Sequence, residues 1–157
     1  MSSEKLPVRV LVVDDFEPWL RFVKAALYEE PGMLIVGTAP DGLEAVTKAR
    51  VLQPDLILMD INLPTLNGIE ATRRIGCLVP DAKIIFLSLE KEPEIVKSAL
   101  AAGGWGYVSK WDAHRELTSA MKVVADGNRY VSRSCQVLSD RKCDAQSPPS
   151  LLTRLHC

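Results

Sequence analysis

Five short, β-branched runs, each followed by a stretch of helical period, constrain this chain more than any other feature. The runs are Arg9 to Val13, Leu34 to Ala39, Leu56 to Met59, Lys83 to Leu87 and Trp105 to Ser109, and their length and composition read as strands. The first helix is expected to open at Pro18, where proline costs no hydrogen bond, with Leu20, Val23 and Leu27 on one face. Gly42 to Leu52 and Gly68 to Ile75 read as the second and third helices. The fourth, Glu92 to Ala102, carries Ile95, Val96, Ala99 and Leu100 as its apolar stripe. The fifth, Ala113 to Asp126, places Leu117, Ala120, Met121 and Val124 at i, i+3, i+4 and i+7, with Gly127 as its stop.

Strict alternation of strand and helix, with central strands apolar on both faces, argues for a parallel sheet covered by helices on each side. The expected fold is therefore α/β, a doubly wound (βα)5 sandwich with the flavodoxin-like strand order 2-1-3-4-5. At 157 residues and 47% apolar content the chain has material for one well-packed core. Residues 1–132 are expected to form that domain. Residues 133–157, with the run Ser147-Pro148-Pro149-Ser150, read as a polar tail or linker, partly disordered and without a complete DNA-binding domain. The 19 basic and 20 acidic side chains leave a formal charge of -1, with no global pull toward nucleic acid or an anionic membrane. With neither a signal-peptide pattern nor a membrane-spanning run in view, a soluble, cytoplasmic protein is expected. The cysteines lack the paired spacing that chelates zinc.

In doubly wound sheets, ligands bind beyond the carboxyl ends of the strands, where strand order reverses. Here the first strand ends in Asp14-Asp15, the third in Asp60, the fourth in Ser88 and the fifth in Lys110. With these strands adjacent, three carboxylates, a hydroxyl and an ammonium converge on one pocket. Such a carboxylate cluster needs either raised pKa values or a bound cation, and one lysine does not balance it. Carboxylates, water and an incoming phosphate are the hard oxygen ligands that Mg2+ prefers. Phosphoryl transfer then requires mainly positioning and charge neutralisation, which Mg2+, Lys110 and Ser88 would supply. Each residue taken singly has a structural role open to it: Asp14 as a helix cap, Asp60 as a turn residue, Lys110 as an ion-pair partner.

These residues resemble the receiver domain of two-component response regulators. The match runs from about Val8 to Ser132. It rests on Val12-Val13-Asp14-Asp15, on Met59-Asp60-Ile61-Asn62-Leu63-Pro64 leading to Asn67-Gly68, on Ser88, and on Gly106-Tyr107-Val108-Ser109-Lys110. The resemblance implies that Asp60 is the phospho-acceptor, attacking the phosphohistidine of a sensor histidine kinase. It implies direct Mg2+ binding by Asp15, binding chiefly through water by Asp14, and a metal ligand in the Asn62 backbone carbonyl. Lys110 would contact the phosphoryl oxygens, Ser88 would swing toward them, and Tyr107 would turn inward with it as the aromatic switch. Asn62 and Glu90 would tune loss of the phosphoryl group to water. Two positions depart from the family pattern. Leu89 stands where a small residue is common, so slower or more selective phosphorylation is expected. Trp111 follows Lys110 where many receivers have proline, so the cis peptide common there is not expected.

The stretch Asp112 to Ser132 looks like receivers of the NarL/FixJ type, which usually continue into a LuxR-type helix-turn-helix. Control of transcription is the implied output, with DNA contacted only through an output domain absent from this chain. A stand-alone or degenerate receiver serving as a protein-interaction module is the alternative. Trp19, Phe22 and Ala26 form a second apolar stripe on the first helix, read as a wider core contact or as a homodimer surface with the fifth helix. A haloacid-dehalogenase-like phosphatase would need a second Asp where Phe16 stands. A nucleotide-binding domain would need a glycine-rich loop in place of Asp14-Asp15-Phe16-Glu17-Pro18.

Overall fold

The computed structural model describes residues 5–139. Strands β1 (Val8–Val13), β2 (Met33–Ala39), β3 (Leu56–Met59), β4 (Lys83–Ser88) and β5 (Gly104–Ser109) alternate with helices α1 (Glu17–Tyr28), α2 (Gly42–Leu52), α3 (Gly68–Leu78), α4 (Pro93–Ala101) and α5 (Ala113–Ala125). A two-residue strand β6 (Tyr130–Val131) and helix α6 (Arg133–Ser139) follow. Every strand pairing is parallel, and the sheet runs β2-β1-β3-β4-β5-β6.

Successive residues of a strand face opposite sides of the sheet, and here that period divides the core in two. Val10, Val12, Leu56, Leu58, Ile85, Leu87 and Val108 pack with Leu20, Val23 and Leu27 of α1 and with Leu117, Ala120, Met121 and Val124 of α5. The alternate residues Leu11, Val13, Ile57, Met59, Ile84, Phe86 and Tyr107 pack with Ala45 and Ala49 of α2, Ala71 and Ile75 of α3, and Val96 and Ala99 of α4. Burying each larger side chain contributes about 1.5–3 kcal/mol. Small residues on α2, α3 and α4 let those helices approach the sheet closely.

Local signals set several helix starts. Asp41 accepts a hydrogen bond from the Glu44 amide (2.8 Å) and Asn67 accepts one from the Glu70 amide (2.9 Å), capping α2 and α3. Proline lies in the first turn of α1 and of α4, where no helical hydrogen bond is lost. Helix α3 continues to Leu78, past the expected end at Ile75. Its next residue, Val79, is buried and donates its amide to the Ile75 carbonyl, and Pro80 then stops the helix.

The sheet gains one strand beyond the expected five, and regular structure continues past the expected domain end at residue 132. Gly106 pairs with Tyr130 and Tyr107 with Val131, and the Ser132 amide donates to the Tyr107 carbonyl (2.8 Å). Asp112 accepts hydrogen bonds from the hydroxyls of Ser132 (2.5 Å) and Ser134 (2.6 Å), and Cys135 of α6 is buried in the core. A two-residue strand is too short to show a period, and a helix held by one buried thiol and two serines looks polar in sequence. Of the stretch read as a tail, residues 133–139 are thus helical, and residues 140–157 lie outside the described residues. Among the described residues no helix is long and apolar enough to cross a membrane.

Candidate functional site

Parallel pairing in register brings the carboxyl ends of β1, β3, β4 and β5 to one edge. The Asp14 amide donates to the Ala39 carbonyl and the Asp60 amide to the Val13 carbonyl, both at 3.0 Å, and the Lys110 amide donates to the Ser88 carbonyl at 2.8 Å. The side chains therefore leave the sheet from a braced backbone.

Lys110 joins the two buried acids. Its Nζ donates to Asp14 Oδ2 at 2.7 Å and to Asp60 Oδ2 at 3.2 Å, and all three residues are buried. The second oxygen of each acid is held by backbone: Phe16 N donates to Asp14 Oδ1 (2.9 Å) and Ile61 N to Asp60 Oδ1 (2.7 Å). Asp15 is exposed at the rim, yet one carboxylate oxygen from each of Asp14, Asp15 and Asp60 lies within 4.8 Å of the others. Three carboxylates against one ammonium leave an excess of negative charge on hard oxygen donors, a set that fits a divalent cation. Burial pushes the Asp60 carboxyl above its ordinary range, and the Asp14 charge adds to this while Lys110 opposes it.

Gly68, at the start of α3, packs directly against the Asp60 backbone. Its amide donates to the Ile61 carbonyl (2.8 Å), and a Cβ there would sit 1.9 Å from the Asp60 carbonyl oxygen. Only glycine permits so close an approach.

Ser88 and Tyr107 meet through one residue. The Glu90 amide donates to Ser88 Oγ (3.1 Å), and Tyr107 Oη donates to the Glu90 carbonyl (2.5 Å). Ser88 and the Tyr107 ring are fully buried, and burial pushes the Tyr107 hydroxyl far above its ordinary pKa. Tyr107 thus points inward. Outside, Asn62 Nδ2 donates to Glu90 Oε1 at 3.2 Å, so Glu90 contacts Asn62, Ser88 and Tyr107 at once. Leu89, 53% exposed, lies on the surface beside Ser88. The described peptide bonds, including that before Trp111, are all trans.

The expected side chains Asp14, Asp15, Asp60 and Lys110 are therefore gathered in one pocket, with Ser88 and Tyr107 joined to one loop beside it. Two participants, Trp19 and Gly68, were not assigned a part in the site from sequence, and a third, Glu90, was expected only to tune loss of the phosphoryl group to water. Trp19 lies against Lys110, with the ammonium 5.0 Å from its ring centroid. Glu90 meets Asn62 through its side chain, but it meets Ser88 and Tyr107 through its backbone, which carries no sequence signal. Gly68 was visible only as part of the Asn67-Gly68 pair.

The family model "Response regulator receiver domain" matches residues 10–122. The chain is 37% identical over 125 residues to the response regulator GacA of Pseudomonas viridiflava, covering 80% of this chain and 58% of that protein. It is likewise 37% identical over 125 residues to the response regulator UvrY of Escherichia coli K12, covering 80% and 57%. The chain thus spans somewhat more than half the length of these relatives. A two-component response regulator of the LuxR family from Aurantimonas sp. SI85-9A1 superposes with a TM-score of 0.83 at 29% identity, covering 88% of this chain and 99% of that one. With the sheet order, the carboxylate pocket and these matches together, the chain belongs to the response regulator receiver domain family, in its NarL/FixJ branch.

Proposed function

We propose that Asp60 accepts a phosphoryl group from the phosphohistidine of a sensor histidine kinase and that the resulting change of surface controls transcription. One observation carries this reading: a single ammonium, Lys110, bridges buried carboxylates from two other strand ends, leaving Asp60 beside an acidic cluster suited to a cation. A carboxylate oxygen of Asp60 forms the new bond to phosphorus, the phosphorus–nitrogen bond breaks, and its electron pair returns to the imidazole. Lys110 neutralises charge on the transferring oxygens. Asp14, Asp15, Asp60 and the Asn62 carbonyl would hold Mg2+, which supplies further charge neutralisation when bound.

The phosphoryl group adds a charge of about -1.5 to -2 and three acceptor oxygens. Ser88 Oγ, held by the Glu90 amide, is the nearby hydroxyl able to turn toward it. Its release loosens the loop that Tyr107 grips and biases α4 and β5 between two arrangements. Asn62 and Glu90, paired across the rim, govern entry of water. The domain works as a switch that gains and loses its own phosphoryl group rather than turning over an external substrate. It acts in the cytoplasm, and the receiver extends past the expected boundary at residue 132 to take in α6, whose Cys135 is part of the core. A homodimer through α1 and α5 is a further partner, and DNA is contacted through an output domain rather than through the receiver.

The test is incubation with Mg2+ and acetyl phosphate, followed by intact mass measurement of wild type and Asp60→Asn. A single phosphoryl adduct on the wild type alone is expected; no adduct, or an equal one on the variant, would overturn the reading.

A further inference from the structure

Trp19 lies in the first turn of α1, half-buried, and the Lys110 ammonium that donates to Asp14 and Asp60 also lies over its ring. The 5.0 Å separation falls within the roughly 6 Å over which an aromatic face attracts a cation. The ring is itself held: Phe22, one turn further along α1, meets it edge-on at 5.1 Å and 83°. Pro18, Trp19 and Phe22 line a shallow groove of about 180 Å³.

Lysine carries its charge on a flexible four-carbon stem. Two hydrogen bonds to carboxylates leave that stem some freedom, which a ring packed against the ammonium restricts. We propose that Trp19 is a positioning residue for phosphoryl transfer, its π face holding the Lys110 ammonium over Asp14 and Asp60 before a phosphoryl group arrives. This inference rests on the phospho-acceptor reading. The ammonium is thereby preorganised where charge develops, instead of being gathered there during the reaction. Trp19 offers no metal ligand, so the donor set of Asp14, Asp15 and Asp60 is the same with and without its ring and Mg2+ half-saturation is expected to stay unchanged.

The experiment measures acetyl phosphate labelling of the whole chain over a range of donor and Mg2+ concentrations, in wild type, Trp19→Leu and Trp19→Phe. The unfolding midpoint of each is measured alongside. Leucine keeps an apolar group and removes the π face; phenylalanine keeps a weaker one. The expected result is a rate at saturating donor about fivefold lower in Trp19→Leu, recovered at least in part in Trp19→Phe, with an unchanged Mg2+ half-saturation. A wild-type rate in Trp19→Leu, an equal loss in both variants, or a parallel shift of Mg2+ half-saturation would overturn the inference while leaving the phospho-acceptor reading intact. A wild-type protein that takes no adduct overturns both.

Discussion

Replacing Gly68 with alanine tests whether the helix start and Asp60 form one rigid unit. The new Cβ would lie 1.9 Å from the Asp60 carbonyl oxygen, 2.9 Å from its carbonyl carbon and 3.0 Å from Ile61 Cα, where ordinary contact begins at 3.4 Å. The obstacles are backbone atoms, which cannot rotate aside. Either α3 or the Asp60–Ile61 segment must retreat by about 1.5 Å, a distance set by those contacts. Overpacking of this kind costs about 1–3 kcal/mol. Losing the hydrogen bond from Gly68 N to the Ile61 carbonyl adds about 1 kcal/mol. The better helix propensity of alanine returns up to about 1 kcal/mol. Steric conflict wins, and Gly68→Ala should be destabilised by about 1–3 kcal/mol, lowering Tm by roughly 5–10 °C. Displacing Asp60 by even ~1 Å from Lys110 should also slow acetyl phosphate labelling by about 100-fold. Gly76→Ala is the control, because a Cβ at that exposed position in α3 meets nothing within 4 Å and should be neutral or mildly stabilising. Urea unfolding followed by circular dichroism gives the stabilities, and intact mass over time gives the labelling rates. If Gly68→Ala matches Gly76→Ala in both, the steric argument is wrong.

Lys110→Met should cost about 3–5 kcal/mol in chelator, because two buried carboxylates lose their ammonium; saturating Mg2+ should restore part of the loss, about 2.7 kcal/mol at a hundredfold excess over Kd. Equal urea midpoints with and without the lysine would contradict this. For Asp60, the folded pKa lies above the ordinary 3.8, so the native state binds its proton more tightly than the unfolded chain does. Wild type therefore gains stability as pH falls through the raised value toward 3.8 and loses it as pH rises. Metal-free Asp60→Asn should accordingly be the more stable protein at neutral pH, with the gap closing on acidification; a constant or widening gap in urea midpoints would refute this. Tyr107→Phe leaves the Glu90 carbonyl without its donor and should cost about 1 kcal/mol, with faster amide exchange in the β4–α4 loop and an unchanged labelling rate. Leu89→Ala should speed labelling by a small phosphodonor; an unaffected rate would show that Leu89 does not restrict the site.

The five-strand frame was legible because each central strand buries both faces and each helix buries one, so hydrophobic period alone separates them. The site was legible for a related reason. Strand ends in a doubly wound sheet share an edge, and Asp14, Asp60, Ser88 and Lys110 each stand at one. Chemistry written in side-chain type at strand ends can be read without coordinates. By itself, then, the sequence determined the sheet, the carboxylate cluster and its ammonium. The tertiary structure decided what depends on backbone and on packing between distant elements. Every residue offers the same amide and carbonyl, so nothing in sequence marked Glu90 as the residue gripped by both Ser88 and Tyr107. Strand β6 is too short to have a period, and it forms because β5 presents an open edge at Gly106 and Tyr107. Trp19 reads along α1 as one more apolar residue. Only the packing of α1 beside the end of β5 turns its ring toward the Lys110 ammonium, joining a helix face to the chemistry at the strand ends.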